Sequence, residues 1–194
     1  MGTLASNRKG FITGASSSSY SDALNASTGT ASDSATGSQN AIQYFKSTGR
    51  GGGTFRFVRT FIHFDTSGIS GGSSFQLTLT STGANGNPSS LSNVTAIKHT
   101  AGSSNGGELA NDDFNNIDRS TAYSSATSYA SSGTVTFTLN ATAANQIINN
   151  NDFNVALLLS HDAAEETEDM LESSGDVTNK INFSSAISLT YTDP

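Results

Sequence analysis

Three histidines, a run of oxygen-bearing side chains and a cluster of acids are the residues here that could do chemistry. His63 and Asp65 stand two apart in His63-Phe64-Asp65, so on a strand they share one face. That face is either part of a metal site or a polar exterior, and no third ligand stands close to the pair. The stretch Asn111-Asp112-Asp113-Phe114-Asn115-Asn116-Ile117-Asp118 offers carboxylate and amide oxygens on one short segment. Calcium takes such ligands from a bendable loop, which makes Asp112, Asp113 and Asp118 the candidate metal ligands. The spacing is not that of an EF-hand, and a solvated turn is the other reading. The pattern Gly-x-Ser-x-Gly occurs twice, around Ser70 and around Ser104. A nucleophile elbow needs a strand entering and a helix leaving. Ser70 lies between two strand patterns and Ser104 in a polar stretch, so neither qualifies. Gly49-Arg50-Gly51-Gly52-Gly53 lacks the Lys-Ser/Thr of a phosphate loop and reads as a hairpin turn.

The chain contains no cysteine, which excludes thiolate zinc sites, thiol nucleophiles and iron–sulfur clusters. No glutamate falls in a strand pattern, so a carboxylate pair for glycoside cleavage cannot be picked out. A non-enzymatic protein is therefore expected, without a cofactor unless calcium binds. Asn-x-Ser/Thr sequons at Asn25, Asn93, Asn140 and Asn182, and the Met1-Gly2…Ser6 acylation pattern, follow from a composition rich in these residues.

The charge is concentrated. Asp162, Glu165, Glu166, Glu168, Asp169, Glu172 and Asp176 are seven of the sixteen acids, and the other nine balance the nine lysines and arginines. All of the net −7 thus falls in residues 162–176. A solvated excursion is one reading. The other is a docking element for a basic partner, with Met170 and Leu171 as its apolar contact. An acidic chain repels phosphates, so no nucleic acid is expected. No apolar run approaches the length of a membrane span or a signal peptide, so no membrane is expected either.

The elements that must position these residues have period two. Thr54–Asp65 alternates Val58, Thr60, Ile62 and Phe64 against Phe57, Arg59, Phe61 and His63. Phe75–Thr80 sets Phe75, Leu77 and Leu79 against Gln76, Thr78 and Thr80, and Thr134–Asn140 repeats the pattern with Val135, Phe137 and Leu139. Phe11–Thr13, Ala41–Lys46, Val94–His99, Phe153–His161 and Ile187–Thr192 are further strands. Ser, Thr, Gly and Asn make up 94 of 194 residues and supply turns and exposed strand positions. The core is expected from Val58, Ile62, Phe64, Leu77, Leu79, Val135, Phe137, Leu139, Val155, Leu157, Leu159, Leu189 and Tyr191. Asn140 caps one short helix with Ala144, Ile147 and Ile148 at helical spacing. Asp162–Glu172 is a second possible helix. Residues 14–40 and 100–132 read as long polar surface loops, residues 1–10 as an arm, and 162–180 as an acidic insertion. One domain over 1–194 is expected: an all-β, antiparallel jelly-roll β-sandwich with one short helix and long polar loops.

Three stretches carry a resemblance. Arg59-Thr60-Phe61-Ile62-His63-Phe64-Asp65-Thr66-Ser67-Gly68-Ile69 with Phe75-Gln76-Leu77-Thr78-Leu79 is one, and Asn140–Ile148 with Asn154–Leu159 is another. Phe183-Ser184-Ser185 with Ile187–Tyr191 is the third. Together they resemble DNRLRE-type, carbohydrate-binding-module-like jelly rolls. Such domains occur in secreted polysaccharide enzymes and bacterial surface proteins, and similar ones in tailed-phage virion proteins. The chain departs from the pattern in having no tryptophan and in the acidic segment 162–176. The resemblance implies a virion structural protein, a capsid decoration or cement protein, assembled in a host cytoplasm. Its partners would be other virion proteins and copies of itself. The alternative it implies is a carbohydrate-binding module, for example on a fibre.

Overall fold

The computed structural model describes residues 1–33, 40–49, 53–85, 93–100, 108–166 and 176–194. Within them the chain forms β1 (Gly2–Ala5), β2 (Arg8–Gly14), α1 (Tyr20–Leu24), β3 (Gly29–Asp33) and β4 (Asn40–Ser47). Then come β5 (Thr54–Asp65), β6 (Ser73–Asn85), β7 (Asn93–His99) and a 3-10 turn at Asn111–Asn115. After the turn follow β8 (Ile117–Ala122), β9 (Thr127–Ser128), β10 (Gly133–Thr138) and α2 (Ala141–Asn149). The last three are β11 (Asp152–Leu159), α3 (Ser160–Ala163) and β12 (Val177–Thr192). The fold is all-β and sandwich-like, with every strand pairing antiparallel.

β5 is the strand both layers share. Its first half pairs with β4, which continues through β12 and β6 to β10. Its second half pairs with β11, which continues to β7 and then β8 and β9. On its other edge β5 carries β2, and β2 carries β3. The alternation seen in the sequence sorts the two layers. β6, β10 and β12 bury one face and leave the other to solvent, whereas β5, β7 and β11 are buried on both. The second face of β5 is closed by α1, and those of β7 and β11 by α3.

Every expected core residue is buried except Tyr191, which packs half-buried on the core edge. Asn140 caps α2 as its spacing requires, its Oδ1 accepting the Ala143 N–H at 3.0 Å. Other expectations need correction. Among the described residues there are three α-helices and a 3-10 turn rather than one helix. Residues 14–40 contain α1 and β3, because Tyr20, Ala23 and Leu24 are buried against β5 in a helix too short to show a period. Residues 100–132 contain the 3-10 turn, β8 and β9. Residues 1–10 are no free arm: β1 pairs with β12 from Ser188 to Tyr191, and β2 pairs with β5. The segment 162–180 is no simple insertion either, since it begins in α3 and its last four residues belong to β12.

One close approach fixes the seat of the 3-10 turn. At Gly14, the last residue of β2, a Cβ would lie 2.4 Å from the Phe114 ring. Gly14→Ala must therefore push Phe114 out of its place, at a cost of about 1–3 kcal/mol. Chemical denaturation of the variant measures that loss, and an unchanged midpoint would show that the turn can shift freely.

Candidate functional site

Among the described residues the densest cluster of charged chemistry lies inside the molecule, on the β5 face that carries Phe57, Arg59, Phe61 and His63. Arg59 is 0% exposed and Asp162, from α3, 1%. Their contact is bidentate: Nε donates to Oδ2 and Nη2 to Oδ1, both at 2.8 Å. Nη2 also donates to the Leu24 carbonyl at the end of α1 (2.6 Å), and Nη1 to the Phe114 carbonyl in the 3-10 turn (2.9 Å). Nη1 further reaches Asn115 Oδ1 at 3.4 Å, so all five guanidinium hydrogens have an acceptor. The Phe114 ring lies under the guanidinium, 4.0 Å from its carbon.

Arg119, from β8, completes the cluster. Its Nε donates to the Asp162 carbonyl (3.1 Å), its Nη2 to Asp162 Oδ1 (3.1 Å), and its Nη1 faces Glu165 at 3.5 Å. Burial pushes the Asp162 carboxyl upward, but Arg59 and Arg119 outweigh it and hold the group below the usual carboxylate range. Burial also works against the Arg59 charge, and Asp162 opposes that effect. The pair is therefore charged in the fold and depends on remaining complete.

The histidines are equally internal. His161 sits between the rings of Tyr44 and Phe57, with centroids 5.4 and 6.1 Å away, and neither of its ring nitrogens has a hydrogen-bond partner among the described residues. Burial lowers its pKa to about 4, against the pull of Asp162. His99 packs edge-on against Phe61 and donates from Nε2 to the Ile62 carbonyl at 3.1 Å, and burial lowers it to about 4 as well. The reading of His63 as polar exterior is overturned. It is buried, and its Nε2 contacts Asp152 Oδ1 at 2.7 Å, while Asp65 stays exposed and accepts the Ser67 N–H.

The candidate calcium ligands are not brought together. Asp113 is buried in the 3-10 turn, where its carboxylate accepts the Ala110 N–H (2.9 Å) and the Asn116 amide (2.7 Å). Asp118 is engaged by the Ser120 N–H and by the Ser120 and Thr121 hydroxyls. Asp112 is exposed in the 3-10 turn. Among the described residues no three acidic or histidine side chains group as a metal would require.

Of the expected partner-contact acids, Asp162 is corrected from surface contact to core residue. It follows directly on β11, buried on both faces, and so enters the interior with that strand. Glu165 is exposed with a positive φ of 53°, Glu166 is half-buried, and Asp176 accepts the Thr48 N–H and hydroxyl. Glu168, Asp169, Met170, Leu171 and Glu172 lie outside the described residues, as does Ser104. Ser70 is exposed in the β5–β6 connection. No protein-family model matches this chain, and no curated protein matches its sequence.

Two outcomes follow. Asp162→Asn leaves Arg59 buried without its counter-charge and should cost about 3–5 kcal/mol, whereas Arg59→Met combined with Asp162→Leu should cost less than the two single changes summed. Urea unfolding of the parent, Asp162→Asn, the two single variants and the double variant measures this, and additive losses would refute the coupling. The second concerns acid. His99 and His161 bind protons near pH 4 when folded and near 6.5 when unfolded, so the unfolded state takes up more protons between those values. Stability should fall as pH drops from about 6.5 towards 4, each histidine contributing a slope of about 1.4 kcal/mol per pH unit. Unfolding midpoints across that range test it, and His161→Phe should flatten the curve.

Proposed function

We propose that this protein is a non-enzymatic structural protein of a tailed-phage virion, a decoration or cement protein on the capsid exterior. The observation that carries the reading is the division of labour between interior and surface. Arg59, Asp162, Arg119, His63, His99 and Asp113 are each turned inward to hold strands, helices and turns together, and His161 is buried among aromatic rings. Where β10, β6 and residues 187–192 of β12 run side by side, the outer face presents hydroxyls and amides instead. Thr134 lies beside Thr80, Thr136 beside Thr78 and then Ser188, and Thr138 beside Gln76 and then Thr190. An uncharged hydroxyl surface of this kind keeps its character across changes of salt, because it has little charge to screen. The resemblance of residues 54–192 to domains of phage virion proteins supports the same reading.

Carbohydrate binding stands second. An open groove lined by Ser124, Ser125, Thr127, Thr136, Thr138 and Asn140 has groups that could meet sugar hydroxyls. Ranking it lower is the position of the aromatic rings: Tyr20, Tyr44, Tyr123 and Tyr129 are all buried. Cryo-electron microscopy of intact particles with labelling by antibodies to this protein decides between them. The expected result is regular density on the outer capsid surface. Purified virions lacking the protein, or carrying it only inside, would overturn the proposal, and a specific hit on a glycan array would put the second reading first.

A further inference from the structure

β10 is an edge strand whose free side faces an open groove of about 600 Å³ between it and the segment from Ala122 to Thr127. The direction of its backbone follows from one bond. Leu139 N–H donates to the Phe75 carbonyl at 3.0 Å, and the same register pairs Phe137 with Leu77 and Val135 with Leu79. Odd-numbered residues therefore spend their backbone groups on β6, and Thr134, Thr136 and Thr138 aim theirs at the groove. Asn140, the next even residue, confirms this by donating outward to the Tyr123 carbonyl at 2.9 Å. From Thr134 to Thr138 the edge has no backbone partner among the described residues.

The other edges are guarded. On β3 the Ala31 N–H is already taken by Asn111 Oδ1 at 2.9 Å. β8 carries Asp118 and Arg119, β9 has two residues and β1 four. β10 has six residues, no charge and no proline. In a chain of net charge −7, charged edges would repel their twins, so this neutral one is the edge best able to meet a copy of itself. Its sequence also has two-fold sense: Thr134-Val135-Thr136-Phe137-Thr138 alternates identically in either direction. An antiparallel partner centred on Thr136 would set Thr136 against Thr136 and Thr134 against Thr138, and those are the residues whose backbone groups point outward.

We propose that β10 is a self-association edge, at which a second copy of this chain adds its own β10 across a two-fold axis and continues the β12–β6–β10 layer. The inference is independent of the virion reading, since the dimer forms from the purified protein alone. Sedimentation velocity from micromolar to millimolar concentration tests it. The expected result is a reversible monomer–dimer equilibrium that Thr136→Pro and Thr136→Lys each weaken at least about tenfold, by removing an outward N–H or placing like charges on the axis. Neither change touches a bond to β6. The lysine variant, at an exposed position, keeps the test intact should the proline variant fail to fold. Thr80→Lys, on the outer face of β6, should dimerise as the parent does. A chain that stays monomeric throughout, equal dimerisation of both Thr136 variants, or loss of the dimer in Thr80→Lys would each overturn the proposal.

Discussion

The rest of the structure depends on one bidentate contact, Arg59 to Asp162. The two residues are 103 apart in sequence, and the contact ties a central strand to the first turn after β11. Through its remaining hydrogens Arg59 also seats the end of α1 and the 3-10 turn. These three short segments have little helix-forming strength of their own, since a helix of four or five residues is far below the length that is stable alone. They are ordered because a buried charge has to be satisfied, and only carbonyls and a carboxylate brought in from distant segments can do that. Packing then completes the assembly, with Tyr20 meeting Phe55 and Phe57 edge to face, Tyr44 meeting His161 edge to face, and Tyr44 and Phe57 tilted against each other.

Strands with apolar alternation were legible in the sequence. β6 and β10 read directly from Phe75, Leu77, Leu79, Val135 and Phe137, since one wet face and one dry face leave a period-two record. α2 was legible because Asn140 states its cap. β5 was half legible. Its second face, on which Phe57 and Phe61 alternate with Arg59 and His63, looks like an exterior when charge is taken to mean solvent. An arginine in the middle of an aromatic row on a two-sided strand was the available signal for a buried counter-ion. Asp162, directly behind the apolar run of β11, was its natural partner, but its place at the head of an acidic run drew it into a different explanation. β1 and β3 were not legible, because edge strands of small polar residues are held by backbone bonds that leave no side-chain pattern.

The same arrangement explains why the surface is so plain. Among the described residues Arg59, Asp162, Arg119 and His63 join distant segments, and Asp113 and Asp118 accept donors from within their own turn and strand.

β12 carries a further consequence, for the order in which the molecule can be built. It pairs with β6 along most of its length and, on its other side, with β4 and then β1. During synthesis from the N-terminus, three earlier strands therefore wait with an open side until residues 177–192 leave the ribosome. Such long-range pairing slows folding and prolongs the life of exposed strand edges in the nascent chain. The abundance of serine, threonine, asparagine and glycine then has a second use: it keeps those waiting strands soluble until the one that closes them arrives.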